Sequence, residues 1–443
     1  MQQGPEGGSK HIYMEVSRQI GSMAAKGARV LEFRCVVSEL YIALRTILIA
    51  SVTSLRCRLQ KRMLTKLLNA LDAAAELSTT DRLDEVIHNM VEVGKSIGSN
   101  SSVEELLAQQ NLLVRMLKKM NRLLEEEEAC KASCALCSIE FLERIARYVP
   151  SSTVPIWKHM KASIINFLAW SDSRVSEHAC WLVTTIIDGD WVKQWSENSL
   201  EKKKFWKNFF ALLQADSLQA QRLLEEMFTF PGSVTLLFSV TDDFNVESTV
   251  AKHLCCAIRH KQLNNSNLFP LVSYFSEMVC VLKDNSENES FLCTLRRLVK
   301  AFCLATSDDQ SPYFSVRNNF ALTIGAVDLL RQIDELAKSG IEIYKRKRDF
   351  DNGINGGNEN PASGLKQCLV RLIANLTCEH HGNCDLARKL GAVPILLEST
   401  KLDCCNLFMT QWAIFALRSM MKEDSGCRDI ISSMKPTSDV RLD

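Results

Sequence analysis

KLGAVPILL, residues 389–397, is the stretch of the sequence that says most about the fold. Gly391 can end a helix in the left-handed conformation, which a glycine adopts without the steric cost of a side chain. Pro394 can then begin the next helix at its first position, where the missing backbone N–H has no partner to lose. The stretch therefore predicts a sharp corner between two helices.

The rest of the chain also favours helices. Apolar residues recur at spacings of three and four, for example in residues 64–71, 106–120 and 365–376. There are only nine prolines and 18 glycines, and no alternating strands bounded by Asn-Gly or Asp-Gly turns. We predict an all-α fold. Because 443 residues are many for a single bundle core, a solenoid of stacked helical repeats is favoured over a bundle.

The charge balance argues against a nucleic-acid-binding protein. The chain has 53 Lys and Arg residues against 52 Asp and Glu residues, a formal net charge of +1. A protein that binds nucleic acid along its surface needs a basic face. We therefore expect no nucleic-acid partner, although a local basic patch is compatible with this balance.

The apolar segments and the cysteines indicate a soluble, intracellular protein. TILIASVTSL, residues 46–55, is too short for a bilayer span, which needs about 20 apolar residues. No secretory signal follows the first residue, and the 17 cysteines form an odd, irregularly spaced set. We expect no membrane insertion and mostly buried, reduced cysteines.

Breaks in the helical pattern divide the chain into regions. Shorter polar connectors at residues 148–155, 229–233 and 283–290 separate helical blocks. The longest break, residues 345–364, is rich in Gly and Asn and predicts a flexible loop. The predicted regions are a flexible tail (1–28), helical repeats (29–344), the basic loop (345–364), a C-terminal domain that continues the solenoid (365–435) and a second tail (436–443).

Two features of the helices resemble armadillo repeats. LIANL (372–376) and ALRSM (416–420) share one local pattern of small and apolar residues around one variable position, which we call the slot. The corner at residues 391–394 is similar to the bend between the short and the long helix of an armadillo repeat. Such repeats contain about 40–47 residues in two or three helices.

The C-terminal block is more specific. LVRLIANL (369–376), GAVPILL (391–397), LDCCNLFMTQWAIFALRSM (402–420) and DSGCRDIISSM (424–434) occur in this order. Together they closely resemble the C-terminal domain of the ataxin-10 family, over residues 365–434. Upstream, the resemblance is one of helical pattern, and SIEFLERIA (138–146) is its best local match.

The resemblance implies a non-enzymatic, armadillo-like scaffold that acts through other proteins. It also implies a cytoplasmic location, with perinuclear, centrosome or midbody association. The family roles that it suggests are cytokinesis, neurite growth and neuron survival. It leaves homo-oligomerisation open.

Armadillo proteins that bind extended peptides use a ladder of asparagines on the last helix of each repeat. An Asn amide suits this task because it supplies both donors and an acceptor. The corresponding slots here are Arg144, Thr185, Asn375 and Ser419. Since only one of them is Asn, an importin-like adaptor for peptide cargo is the alternative hypothesis, and a general protein-binding groove is preferred.

A basic run in the predicted loop is a second candidate site. Lys345, Arg346, Lys347 and Arg348 form KRKR. Such a run is typical of a nuclear-import signal or of a patch for anionic partners. A merely solvated surface run is the competing interpretation.

The cysteine and histidine clusters raise the question of a metal site. CKASCALC, residues 130–137, places three cysteines on one helix face without an obvious fourth ligand. Cys378, His380, His381 and Cys384 fall within NLTCEHHGNC, residues 375–384. We interpret the first as a packed helix face and the second as a polar turn in which Asn383 caps the next helix. A metal-dependent or redox enzyme stays the least favoured hypothesis.

Signals of catalysis are otherwise missing from the sequence. It contains no Gly-rich phosphate loop, no H-E-x-x-H, no G-x-S-x-G and no kinase motif set. A catalytic triad assembles in space and cannot be judged from spacing. We predict a protein that is not an enzyme and that needs no cofactor or metal.

Overall fold

The computed structural model describes residues 110–125, 132–194, 200–241, 243–344, 364–401 and 408–434, with separate positions between 62 and 97. Every regular element in these ranges is an α-helix or a short 3₁₀ helix, which confirms the all-α prediction. The α-helices are α1 (Gln110–Glu125), α2 (Ala132–Tyr148), α3 (Thr153–Leu168), α4 (Ser173–Ile186), α5 (Gly189–Gln194), α6 (Leu200–Gln214), α7 (Leu218–Phe228), α8 (Ser233–Ser239), α9 (Phe244–Arg259), α10 (Leu268–Cys280), α11 (Glu289–Ala305), α12 (Phe320–Lys338), α13 (Leu365–Thr377), α14 (His381–Lys389), α15 (Ala392–Glu398), α16 (Met409–Glu423) and α17 (Ser425–Ser433).

The helices are arranged in two rows. In the first row, α2, α4, α7, α9, α11, α13 and α16 follow one another, and each contacts the next. We call this row the helix ladder. Behind it, the second row consists of α1, α3 and α6, followed by α8, α10 and α12 with α14 and α15 packed on α12. This succession of neighbour contacts is the α-solenoid that the sequence predicts.

A continuous apolar core lies between the rows. At its centre, Phe275 of α10 meets Phe302 of α11 edge to face, with ring centroids 5.5 Å apart. Gly325 of α12 lets that helix approach, because a Cβ there would lie 2.9 Å from Cε1 of Phe275. Burying a large apolar side chain of this kind stabilises a fold by about 1.5–3 kcal/mol. The buried apolar residues of this one cluster run from Leu67 to Cys427, so the core extends along the array.

The corner at Gly391 exists as predicted. Gly391 has a φ of +78° and lies between α14 and α15. Gly232, which precedes α8, also has a φ of +78° and makes an equivalent corner. Pro394 is the third residue of α15 and not its first. The prediction of its position was wrong by two residues. The missing N–H still breaks no helical hydrogen bond, because the N–H groups of the first turn have no partner within the helix.

A buried asparagine holds the Gly232 corner in place. The side-chain oxygen of Asn267 accepts from the Gly232 N–H at 2.9 Å. Its amide nitrogen donates to the carbonyl oxygens of Phe228 and Phe230 at 3.3 and 2.9 Å, and to the Ser233 hydroxyl at 3.1 Å. Asn267 thus satisfies the backbone groups that the end of α7 and the start of α8 leave open.

We expect Asn267→Ala to lower the free energy of unfolding by about 2–3 kcal/mol, because it leaves several buried polar groups without partners. Urea denaturation followed by circular dichroism measures the change. The matched control is Asn265→Ala, an exposed residue of the same turn, which should cost less than about 0.5 kcal/mol. Equal losses in the two variants would contradict the role assigned to Asn267.

Candidate functional site: the exposed face of the ladder

Packing leaves one open stripe on each ladder helix. Helix α11 shows how this arises, since it is buried against its two ladder neighbours and the second row. Its less buried positions include Cys293, Arg296, Lys300 and Leu304, which recur every three or four residues. That spacing places them on one side of the helix. We call the set of such stripes on the ladder helices the ladder face.

The structure brings the four predicted groove residues onto this face. They are the less buried residues of four ladder helices, namely Arg144 of α2, Thr185 of α4, Asn375 of α13 and Ser419 of α16. Helices α7, α9 and α11 lie between Thr185 and Asn375, so the residues do not form one contiguous patch. Their role in ligand binding stays a prediction.

Asn375 is already used within the fold. Its amide nitrogen donates to the Cys303 carbonyl oxygen at 3.2 Å and to the Thr306 hydroxyl at 3.1 Å. Both acceptors belong to the end of the preceding ladder helix, α11. Both amide protons are therefore engaged in tying α13 to α11, and neither is left for a peptide backbone.

The N-terminal section of the ladder face contains a charged and aromatic cluster that sequence reasoning missed. The Glu143 carboxylate is 6% exposed and accepts from Arg147 at 2.5 Å. On the next ladder helix, Nδ1 of His178 lies 2.9 Å from the same carboxylate. The Arg147 guanidinium stacks 4.4 Å from the ring centroid of Trp181. The sequence could have indicated the ion pair of Glu143 and Arg147, because residues four apart are neighbours on a helix. The contacts with α4 depend on the fold.

The cluster changes the protonation of His178. The hydrogen bond to Glu143 raises the pKa of the imidazole above its ordinary value of 6.5; burial opposes this rise, and the charges of Glu143, Glu140 and Glu177 add to it. Protonation of His178 therefore strengthens the link between α4 and α2.

The central section of the ladder face is basic. Arg297 of α11 reaches across to α9, where its Nη1 donates to the Ser248 carbonyl oxygen and hydroxyl, both at 2.6 Å. Arg371 of α13 lies over the Trp412 ring of α16, at 5.0 Å from its centroid. The less buried cations of this section are Lys252 and Arg259 on α9, Arg296, Arg297 and Lys300 on α11, and Arg371 on α13.

Three thiols lie beneath these cations and serve packing. Cys255 donates to the Arg297 carbonyl oxygen at 3.3 Å, and Cys303 donates to the Cys368 carbonyl oxygen at 3.2 Å. Burial raises the pKa of Cys255 to about 11 and also raises the pKa values of Cys303 and Cys368. Groups that stay protonated in this way are poor nucleophiles and poor metal ligands.

The C-terminal section of the ladder face is aromatic. The rings of Trp412 and Phe415 meet edge to face on α16, with centroids 6.2 Å apart. Phe415 is 42% exposed, and Ile414 beside it is 41% exposed. This section therefore offers apolar area next to the guanidinium of Arg371.

The histidine and cysteine turn is built from separate hydrogen bonds. Nδ1 of His380 accepts from the Asn383 N–H at 3.1 Å, and Nδ1 of His381 donates to the Glu423 carbonyl oxygen at 2.7 Å. Cys384 is buried and donates to the Thr377 carbonyl oxygen at 3.1 Å. Among the described residues, no group of three or more His, Cys, Asp or Glu is placed to hold a metal ion.

The predicted cap of the following helix was wrong. Helix α14 begins at His381, and His380 is its cap. Asn383 lies inside the first turn and is fully buried. Its amide nitrogen donates to the carbonyl oxygens of Arg317 and Leu376 at 2.9 and 2.8 Å. The buried acceptors outcompete a local capping role, because an unpaired buried carbonyl is costly.

Several predicted features fall outside the described residues. They are the basic loop Lys345, Arg346, Lys347 and Arg348, the thiols Cys130, Cys404 and Cys405, and the side chain of Cys134. Cys137 is described, and burial raises the pKa of its thiol. Among the described helices, none combines the length and the apolar character needed to cross a lipid bilayer.

The His178 pair predicts a pH dependence of stability. A raised pKa in the folded state gives a stabilisation that is complete below the unfolded value of about 6.5 and is lost as pH rises through the folded value. The difference in melting temperature between wild type and His178→Gln should therefore be largest near pH 6 and shrink toward pH 8.5. Thermal melts over this range measure it.

Glu143→Gln is the companion variant, since it removes the charge that binds the imidazolium. Like His178→Gln, it should lower the melting temperature more near pH 6 than near pH 8.5. A difference from wild type that stays constant between pH 6 and pH 8.5 in both variants would refute the pair's assignment.

Comparisons with known proteins agree with the resemblance drawn from the sequence. A sequence model described as the spinocerebellar ataxia type 10 protein domain matches residues 365–442. Ataxin-10 of Bos taurus is 24% identical over 320 residues, covering 68% of this chain and 65% of the bovine protein. Ataxin-10 of Homo sapiens is 24% identical over 332 residues, covering 71% of this chain and 68% of the human protein. The ataxin-10 homolog of Dictyostelium discoideum is 31% identical over 83 residues, covering 19% of this chain and 14% of that protein.

Two solved structures are similar to the chain at low sequence identity. An engineered protein is 12% identical, with a TM-score of 0.33, and the match covers 83% of this chain and 91% of that one. A structure from work on the interaction between cadherin and β-catenin is 11% identical, also with a TM-score of 0.33, over 81% of this chain and 91% of that one.

The sequence matches extend well beyond the C-terminal domain. They span about two thirds of the length of the bovine and human relatives. The same family is matched independently by the domain at residues 365–442. The C-terminal domain of the chain therefore matches the ataxin-10 domain, and most of the chain is similar to ataxin-10 proteins.

Proposed function

We propose that the chain is a non-catalytic scaffold whose ladder face binds other proteins. The observation that carries this proposal is the exposure of large apolar side chains on the ladder face. Trp181 is 37% exposed and Phe415 is 42% exposed, each among charged neighbours. Buried aromatic anchors surrounded by polar contacts supply most of the binding energy in protein interfaces.

The chemistry of the described ionisable groups supports a role without catalysis. The Cys255 and Cys303 thiols are buried and protonated, and His178 is held by Glu143 across two helices. Groups so engaged stabilise packing, whereas a catalytic base must reach a substrate proton.

The cellular role is carried over from the family resemblance. We propose a cytoplasmic protein, with perinuclear, centrosome or midbody association, that supports cytokinesis, neurite growth and neuron survival. Assembly of several copies through the same surface is compatible with this role.

The importin-like alternative has weaker support. A peptide-binding asparagine needs free amide protons, and those of Asn375 bond to Cys303 and Thr306. A lysine-rich cargo would also meet Lys300 and Arg371 on the central section of the ladder face, where like charges repel.

We predict that Phe415→Ser removes at least part of the partner set of the protein, because it deletes an apolar anchor from the ladder face. Proximity labelling in dividing cells, followed by mass spectrometry, compares the partners of the two forms. The matched control is Phe269→Ser on α10 of the second row, where the ring is 56% exposed. The control should keep the wild-type partner set.

Partner sets that are identical in wild type, Phe415→Ser and Phe269→Ser would count against the ladder face as the binding surface. Loss of partners only in Phe269→Ser would move the interface to the second row. Melting curves of both variants establish that each is folded.

A further inference from the structure

We infer that the central section of the ladder face, on α9, α11 and α13, binds an extended acidic segment of a partner protein. This inference rests on the proposed scaffold function and names the chemistry of one partner. It starts from the unequal distribution of charge along the ladder.

The central ladder helices are almost free of acidic residues. Helix α13 contains no Asp or Glu, and α11 contains only Glu289, its first residue. Glu247 is the one acidic residue of α9, and it is buried. The open stripes of these helices therefore present lysine and arginine without interspersed carboxylates, which is unusual for a solvated helix surface.

The cations lie close together in space. Lys300 of α11 acts electrostatically on the Cys255 thiol of α9 and on the Cys368 thiol of α13. Helix α11, which carries Lys300, contacts both of these helices. Burial raises the pKa of both thiols, and the positive charges around them oppose that rise.

The charges that reach these thiols are of one sign. Lys300, Arg259 and Arg297 act on Cys255, and Lys300, Arg296 and Arg371 act on Cys368. Among the described residues, no carboxylate contributes at either thiol. The central section is thus a concentrated positive field on the ladder face.

Several cations elsewhere on the two rows are paired with carboxylates. On the second row, Lys338 pairs with Asp334 at 2.6 Å and Arg331 pairs with Asp328 at 2.9 Å. At the N-terminal section of the ladder face, Glu143 pairs with Arg147. Within the described part of the chain, by contrast, no carboxylate lies within ion-pair distance of the central section's most exposed cations, Lys252, Arg259 and Lys300.

Two of the guanidinium groups are held in position in advance. Arg297 is fixed by its hydrogen bonds to Ser248, and Arg371 is fixed by stacking on Trp412. The Nε atom of Arg371 is buried and has no acceptor among the described residues. Side chains that are ordered before binding lose less entropy when a carboxylate arrives.

The spacing of the helices sets the length of the segment. Interaxial distances of about 8–10 Å put α9 and α13 about 16–20 Å apart, which an extended segment of about six residues spans at roughly 3.3 Å per residue.

A protein segment fits this surface better than a nucleic acid. Between the cations lie less polar positions, namely Cys256, Cys293 and Leu304, and the exposed ring of Phe415 follows on α16. A peptide can alternate carboxylates with apolar side chains to match this pattern. The overall net charge of +1 is also far from the strongly basic balance of nucleic-acid-binding proteins.

Fluorescence polarisation with the full-length chain tests the inference. The probes are fluorescein-labelled octaglutamate, octalysine and a uridine oligonucleotide of equal length. We expect saturable binding of octaglutamate that weakens as salt is added, and no comparable binding of octalysine.

The decisive variant is Arg259→Glu/Lys300→Glu, which reverses two exposed charges of the central section. It should weaken octaglutamate binding by at least about tenfold, because like charges then face each other. The matched control is Lys203→Glu/Lys207→Glu, two exposed lysines on α6 of the second row. It makes the same change in net charge and should keep the wild-type affinity to within about twofold.

Three results would overturn the inference. One is the absence of saturable octaglutamate binding at low salt, and another is an equal loss of affinity in the two double variants. The third is tighter binding of the uridine oligonucleotide than of octaglutamate, with displacement of the peptide, which would assign the section to nucleic acid. If the partner set in the proximity-labelling experiment still depends on Phe415, the proposed scaffold function is retained in each case. If both the octaglutamate titration and the labelling experiment fail, the inference and the scaffold function are both contradicted.

Discussion

The structure depends on one packing constraint: each inner ladder helix must bury apolar surface on three of its sides. Helix α11 shows this fully, since it meets α9, α13 and the second row at once. Only one stripe of such a helix then reaches solvent. The residues of these stripes therefore determine the charge and polarity of the ladder face. The constraint also explains why the cysteines of this region are protonated packing residues, since most of the surface around them is buried.

Asparagine side chains complete this packing near the ends of the helices. Asn267 takes up backbone groups of the turn between α7 and α8, and Asn383 takes up carbonyl groups from two chain segments. Asn375 joins α13 to α11. An amide is suited to such places because it offers two donors and an acceptor in one small plane. The same property makes asparagine useful for binding peptides, so its presence in a helical repeat does not by itself identify a binding site.

Local patterns predicted the helices, the corner at Gly391 and the solenoid, because periodicity and left-handed turns depend on residues close in sequence. The misplaced cap shows the limit of such patterns. Asn383 follows a polar turn and resembles a cap, yet the carbonyl oxygens of Arg317 and Leu376 draw it into the core. The pairing of Glu143 with His178 and the grouping of Lys300 with Arg371 likewise arise between helices that are distant in sequence. These contacts decide the character of the ladder face, and no local spacing reveals them.

Hydroxyl-radical footprinting of the protein with and without a co-purified partner tests most directly whether the ladder face is the binding surface. The method reports solvent access at aromatic side chains on both rows. On this account the partner protects Phe415 and Trp412 of α16 and leaves the exposed rings of Phe269 and Phe320 on the second row unchanged. Protection of Phe269 and Phe320, with Phe415 and Trp412 still oxidised at the rate of the free protein, would contradict it.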